Sequence, residues 1–386
     1  MTIPNRNFNY PTAIKFGAGR VKELADLCKA NGIKRPLFVT DPGLAASPMV
    51  ADILADLKAA GLPVQLFSDV RPNPVEANII AGVKAYKMGM HDGVIAFGGG
   101  SGLDIGKMIA LMHGQSISVF DLEDIGDWWT RADASRISPI IAVPTTAGTG
   151  SEVGRAGVVT HPDTHEKKVI FHPAIMPKVA LLDPELTVGL PAKLTAATGF
   201  DALAHCIEAY SAPFYHPLSK GIALEGMLLI KDNLATAVKK PKDLDARGNM
   251  LMASTMGATA FQRGLGAVHA LSHPIGGLYD AHHGLLNGIV LPYVLVANRK
   301  KIEKDFARAA AYLEIKGGFD GFLKWVLALR KDLGIPHTLA DIGIDTKRLG
   351  EVAAMAIKDP SAGGNPIQFT EKQYKALAKK CVEGEL

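Results

Sequence analysis

Cysteine is scarce in this chain. Cys28, Cys206 and Cys381 are odd in number, far apart and without a CxxC pair, which argues against a disulfide framework or a zinc ribbon and suits a reducing cytoplasm. Charge of one sign is never concentrated: the net charge of +4 is spread along the chain and no run of five basic residues occurs. Nucleic acid and membrane surfaces are therefore poor partners. No stretch approaches the ~18 uninterrupted apolar residues that a membrane span needs. The opening Met1–Asn7 has neither the basic nor the apolar region of a signal peptide, so the expectation is a cytoplasmic protein. Internal repeats and low-complexity segments are missing too.

What is present is an ordinary globular composition, 48% apolar and 21% charged, in 386 residues. That length exceeds what one hydrophobic core usually serves, and two domains are expected. Up to about residue 185, short apolar runs at 37–40, 64–67, 93–97 and 139–143 alternate with helical patterns at 49–60 and 76–88. This alternation predicts a parallel sheet covered by helices on both faces. Residues 157–182 read as additional β structure, with Val158–Thr160 and Val179–Leu182 as strands. From about 190 the texture becomes helical, at 192–210, 217–239, 243–262, 265–275, 301–314 and 318–333, so an all-α second domain is expected. Pro184 and Pro191 flank the change, and the domains are drawn at 1–185 and 186–386. The run 372–385 reads as a solvated amphipathic helix, and Trp128-Trp129 as the packing of a loop, with the border of a substrate entrance as the other reading.

Glycines 98–100 follow a strand and open a helix. Without Cβ atoms there, backbone N–H groups can approach a pyrophosphate at the helix N-terminus. Ser101 is a candidate cap for that helix, with Asp104 in the reciprocal position. The GxGxxG spacing fails at Leu103 and Ile105, and Met108 spoils a Walker A motif, so a plain strand-to-helix turn remains an alternative. Asp41, at the end of the first strong strand, offers an acceptor for a ribose diol and a repulsive charge against a 2′-phosphate; a turn-forming Asp before Pro42 is the other reading. Thr145, Thr146 and Thr149 lie in a second polar loop after the next strand, where ligands of open α/β sheets bind.

Six of the twelve histidines fall between residues 205 and 283. Asp201 and His205 stand four apart in a helical segment, and His269 and His273 repeat that spacing, so each pair shares a helix face. Gly276-Gly277 is expected to break the second helix ahead of His282-His283. One oxygen and three imidazoles from these segments suit a divalent metal, whereas any single histidine is more often a core or surface residue. His269-Ala270-Leu271-Ser272-His273 lacks the glutamate of a zinc hydrolase, which leaves a Lewis-acid site open.

GGGS at 98–101, PTTAGTGSE at 144–152, DPELTVGLP at 183–191, TGFDALAHCIEAY at 198–210 and GAVHALSHPIGGLYDAHHG at 266–284, with PTAIKFG at 11–17, together resemble the iron-dependent (group III) alcohol dehydrogenases, over almost the whole chain. The resemblance implies an N-terminal dinucleotide-binding α/β domain with a parallel sheet and an all-helical, metal-binding C-terminal domain. It implies Asp201, His205, His269 and His283 as ligands of Fe²⁺, with Zn²⁺ or Mn²⁺ as alternatives. By the same resemblance His273 matches a histidine near nicotinamide and substrate that is given a proton-relay role. Asp41, Asn73, Gly99, Gly100, Ser101, Asp104, Thr145, Thr146, Thr149, Lys168 and Leu186 fall at positions resembling the NAD site. The implied activity is NAD-linked interconversion of a small primary alcohol and its aldehyde, in a homo-oligomer, commonly a dimer. Glycerol dehydrogenase, with a shorter zinc ligand set, is a less fitting relative. The rival of another class is a lyase resembling dehydroquinate synthase; its phosphate-bearing substrate calls for a basic cluster beside the metal helices, where Arg263 is the main candidate.

Overall fold

The computed structural model describes Tyr10 and residues 12–386, so the opening Met1–Asn7 and Pro11, the first residue of the PTAIKFG motif, lie outside the described residues. The described residues divide into two compact units, 12–189 and 190–386, the latter joined by Tyr10.

Among the described residues of the first unit, eight strands are formed: β1 (Ala13–Phe16), β2 (Pro36–Val39), β3 (Gln65–Phe67), β4 (Gly93–Gly98), β5 (Ile140–Pro144), β6 (Ala156–Thr160), β7 (Lys167–Phe171) and β8 (Val179–Leu182). Six make an all-parallel sheet in the order β1-β8-β5-β4-β2-β3. Five helices accompany them: α1 (Leu24–Ala30), α2 (Pro42–Ala45), α3 (Pro48–Ala59), α4 (Glu76–Met88) and α5 (Gly100–Met112). Side chains alternate across the sheet. Leu37, Val39, Val94, Ala96, Ile140 and Ala142 enter one core with α4 and α5, while Phe38, Ile95, Phe97, Ile141 and Val143 enter the other with α1 and α3. Burial on both faces is why these strands read as continuous apolar runs rather than alternating ones.

The expected extra β region separates into two parts. β6 and β7 pair antiparallel as their own hairpin, but Val179–Leu182 is a main-sheet strand between β5 and β1. β7, with two lysines, lies inside the expected β region without having been singled out, and β1, interrupted by Lys15, was not expected. Within the sheet the chain runs from β2 to β3 on one side and returns as β4 on the other. The carboxyl ends of β2 and β4, aligned through Val39 and Ala96, therefore form a topological switch point.

The second unit has no strand among its described residues, and its α-helices are α6 (Ala192–Ser211), α7 (Pro217–Lys239), α8 (Leu244–Ala260), α9 (Ala267–Tyr279), α10 (His283–Tyr312), α11 (Gly318–Asp332), α12 (Leu349–Ala356) and α13 (Glu371–Glu383). Two expectations need correction. α9 does not break at Gly276-Gly277 but continues to Tyr279 and ends where Asp280 turns left-handed at φ 51°. α10 is one 30-residue helix containing Pro292, not a helix confined to 301–314. Its first half is buried on every side, from Leu286 through Leu295, so it carries no amphipathic period to read, and packing overrides the proline.

Candidate metal centre and cofactor loops

α6 is a buried helix whose positions 201, 205 and 208 share one face. Asp201 is 3% exposed and its Oδ1 is the point on which three imidazoles converge. It lies 3.7 Å from His205 Nε2, 3.8 Å from His269 Nε2 and 3.6 Å from His283 Nε2. Atoms sharing a tetrahedral ion at 2.0–2.2 Å would lie about 3.3–3.6 Å apart. Asp201, His205 and His269 are buried, with ligand atoms all within 4.8 Å of one another, and His283 meets them from the start of α10. The donor set of one carboxylate and three imidazoles fits a borderline divalent cation such as Fe²⁺ or Zn²⁺.

The surrounding polar groups orient these donors. Glu208 accepts the Nδ1–H of His269 at 2.5 Å and the amide of Val268 at 2.7 Å, which ties α9 to α6 and turns Nε2 toward Asp201. Burial lowers the His269 pKa, but Glu208 and Asp201 outweigh it and raise it to about 9. Burial likewise raises Asp201, and the charges of His205, His283 and His269 hold it well below the usual carboxylate range. His273, one turn after His269, stacks on His283 with ring centroids 5.2 Å apart. Its Nδ1 donates to Asp359 Oδ2 at 2.8 Å, leaving Nε2 as the nitrogen available for other partners. Asp359 Oδ1 accepts the amide of Ser361. The two remaining histidines of the cluster are caps: His216 accepts from the Ser219 amide and His282 from that of Leu285. Arg263 is buried and spends Nε and Nη1 on the carbonyls of Ala209 and Tyr210, in the last turn of α6, and of Phe214 beyond it, so it serves as a cap of that helix end rather than as part of a basic cluster.

Glu208, Asp359 and Asn287 were missed in the sequence. Glu208 had a signal, seven residues after Asp201 on the same stripe, and Asn287 follows His283 by four. Asp359 had none, because only the tertiary fold brings it 86 residues back to His273.

In the first unit, Gly98 at φ 130° leads β4 into α5, and the place where its Cβ would stand is 3.7 Å from Asp41 Oδ2. A Cβ on Gly100 would come within 2.5 Å of Thr149 Oγ1, and one on Gly99 would touch Thr146. Thr145 donates its amide to Gly98 O at 2.9 Å. The glycine turn, Asp41 and the threonine loop thus meet at the switch point. The Ser101–Asp104 capping pair is a correction: Gly99 is the N-cap, so Ser101 already lies inside the first turn. Its hydroxyl donates to Pro72 O at 2.6 Å, drawing the loop that holds Asn73 to the helix. Asp104 is buried, accepting from Ser151 Oγ and the Val158 amide and pairing with Lys107 at 3.2 Å, so it fastens the helix to β6. Asp41 caps α2 through Leu44 N at 3.0 Å, which realises the turn reading with one oxygen. Lys168 on β7 pairs with Glu166 at 2.8 Å and Glu123 at 3.4 Å. Leu186 is buried in the sheet's core. Trp128-Trp129 forms a 3-10 turn, with Arg131 over Trp128.

A parallel sheet with a glycine turn at its switch point, and a helical unit with a carboxylate and three imidazoles close to metal-ligand spacing, are the parts a metal-dependent dehydrogenase requires. The chain belongs to the iron-containing alcohol dehydrogenases: residues 11–184 match that family (iron-containing alcohol dehydrogenase), and 195–382 match its Fe-containing alcohol dehydrogenase C-terminal region. It is 38% identical to the 4-hydroxybutyrate dehydrogenase of Cupriavidus necator, over 97% of this chain and 99% of that protein. Among solved structures, a 1,3-propanediol oxidoreductase superposes with a TM-score of 0.92 at 35% identity, covering 97% of this chain and 100% of the other. Sulfoacetaldehyde reductase from Bifidobacterium kashiwanohense, in complex with NAD⁺, gives 0.89 at 27% identity, covering 98% and 99%.

Proposed function

We propose that this protein interconverts a small primary alcohol and its aldehyde with NAD, using one divalent ion, Fe²⁺ first, held by Asp201, His205, His269 and His283. The convergence of three imidazole Nε2 atoms on Asp201 Oδ1 at 3.6–3.8 Å carries the reading. An ion there supplies Lewis-acid stabilisation of negative charge on the substrate oxygen, and the nicotinamide carries the hydride. The chain's own groups do the rest. Glu208 keeps the His269 proton on Nδ1, so that Nε2 faces the ligand position. Asp359 does the same for His273, whose Nε2 is then available to exchange a proton with the substrate hydroxyl. In the first unit, the amides opening α5 receive the pyrophosphate, with Gly99, Gly100 and Ser101 giving close access and Thr145, Thr146, Thr149, Asn73 and Lys168 around it. Asp41 receives the adenosine ribose. Asp104 and Leu186 serve this unit as internal supports.

The dinucleotide-binding part is the first unit, which runs to Gly189 rather than stopping at 185, and the metal-holding part is the helical unit from Leu190. No helix among the described residues is long and apolar enough to cross a membrane. The family resemblance and the three buried, separate cysteines support a cytoplasmic homo-oligomer, a dimer first. A lyase acting on a phosphate-bearing substrate is not favoured, since Arg263 is already committed to carbonyls. The test is a panel of short primary alcohols with NAD and metal-reconstituted protein, followed by NADH absorbance. NADH formation that stops when the metal is chelated is expected, and no NADH with any alcohol, or with aldehydes in reverse, would refute the proposal.

A further inference from the structure

Asn287 is fully buried on α10, one turn after His283, and its side-chain amide lies against three of the four donor atoms. Nδ2 is 2.7 Å from Asp201 Oδ1, 3.2 Å from His283 Nε2 and 3.3 Å from His269 Nε2. Its Oδ1 has no hydrogen-bond partner among the described residues. Burying an amide carbonyl without a partner is unfavourable, so nothing in packing alone accounts for an asparagine at this position. The amide has two hydrogens. A cation bound by the histidines takes their Nε2 lone pairs, which leaves Asp201 Oδ1 as the acceptor that Nδ2 keeps. A carboxylate on a lone Cβ–Cγ bond can otherwise swing about χ2, and the short contact to Asn287 removes that freedom.

We propose that Asn287 is the positioning residue for Asp201, its side-chain amide holding Oδ1 at the ligand position before the ion enters. The inference rests on the ligand set proposed above. Groups that orient metal ligands from behind typically change metal affinity about 10–100-fold when removed.

The experiment uses full-length apo-protein, titrated with Zn²⁺ against a chromophoric chelator and with Co²⁺ for its visible ligand-field bands. Asn287→Ala should bind Zn²⁺ about 10–100-fold more weakly than the wild type. Its Co²⁺ bands should be shifted, while the circular dichroism and unfolding midpoint of the apo-protein stay close to wild type. Asn287→Ser, whose hydroxyl is too short to reach Asp201, should follow in the same direction and replaces Ala if that variant does not fold. Wild-type affinity and an unshifted Co²⁺ spectrum in these variants overturn the inference, as does failure of both to fold, which would make Asn287 a structural residue. His205→Ala separates the two layers: if it still binds Zn²⁺ like the wild type, the ligand set is wrong. If it loses Zn²⁺ while Asn287→Ala keeps it, only the role of Asn287 is wrong.

Discussion

Glu208→Gln is the perturbation with the most readable consequence. In the metal-free protein His269 sits at about 9, so at pH 7 it is protonated on both nitrogens, with Nδ1–H on Glu208 and Nε2–H facing Asp201. A metal ligand must give up the Nε2 proton. Two units between pH 7 and 9 correspond to roughly 2–3 kcal/mol, or about a hundredfold, in apparent affinity. Metal affinity should therefore rise about tenfold per pH unit up to 9 and then level off. The glutamine variant loses the charge that holds His269 up, while burial still lowers it, so its midpoint falls and its curve flattens above neutrality. The variant also loses an orienting acceptor, about 10–100-fold in affinity, so it should lag most at pH 9 and least near pH 7. The raised His269 value stabilises the metal-free fold fully below its unfolded value of about 6.5, and that contribution disappears as pH rises through 9. Zn²⁺ titrations at several pH values, with proton release followed by an indicator, measure all of this. A flat wild-type curve, or parallel curves for the two proteins, would refute the reasoning.

Three further outcomes are expected. His273→Ala should keep its metal yet lose about 10²–10⁴-fold in turnover; a metal-free variant would make His273 a ligand instead. Asp41→Gly should narrow the preference for NADH over NADPH, measured as kcat/KM. It should also cost a few tenths of a kcal/mol of stability, roughly, through the lost cap on Leu44 N, and equal use of both coenzymes by the wild type would reduce Asp41 to its turn role. Gly100→Ala should weaken NAD binding by forcing Thr149 away from a Cβ that would stand 2.5 Å from its Oγ1; calorimetry showing unchanged affinity would count against the phosphate turn.

The parallel sheet and the helical second unit were legible because buried strands appear as short apolar runs and surface helices as periodic ones. The His and Asp spacings were legible because a helix places residues four apart on one face. α10 was half lost because a helix buried all round shows no period. Ser101 and Asp104 matched a capping pattern that Gly99 fills two residues earlier, so a local motif gave way to the hydrogen bonds with Pro72, Ser151 and Val158. Asp359 acts on His273 through chain folding alone and left no trace in local sequence.

The account depends most on one divalent ion per chain at Asp201, His205, His269 and His283 driving NAD-linked turnover. Anaerobic addition of Fe²⁺ to metal-free protein, with bound iron and aldehyde-dependent NADH oxidation measured in the same samples, tests this directly. Activity should rise in proportion to iron up to one per chain and be missing, with the iron, in His205→Ala. Full activity in metal-free protein, or an iron-loaded and active His205→Ala, would contradict it.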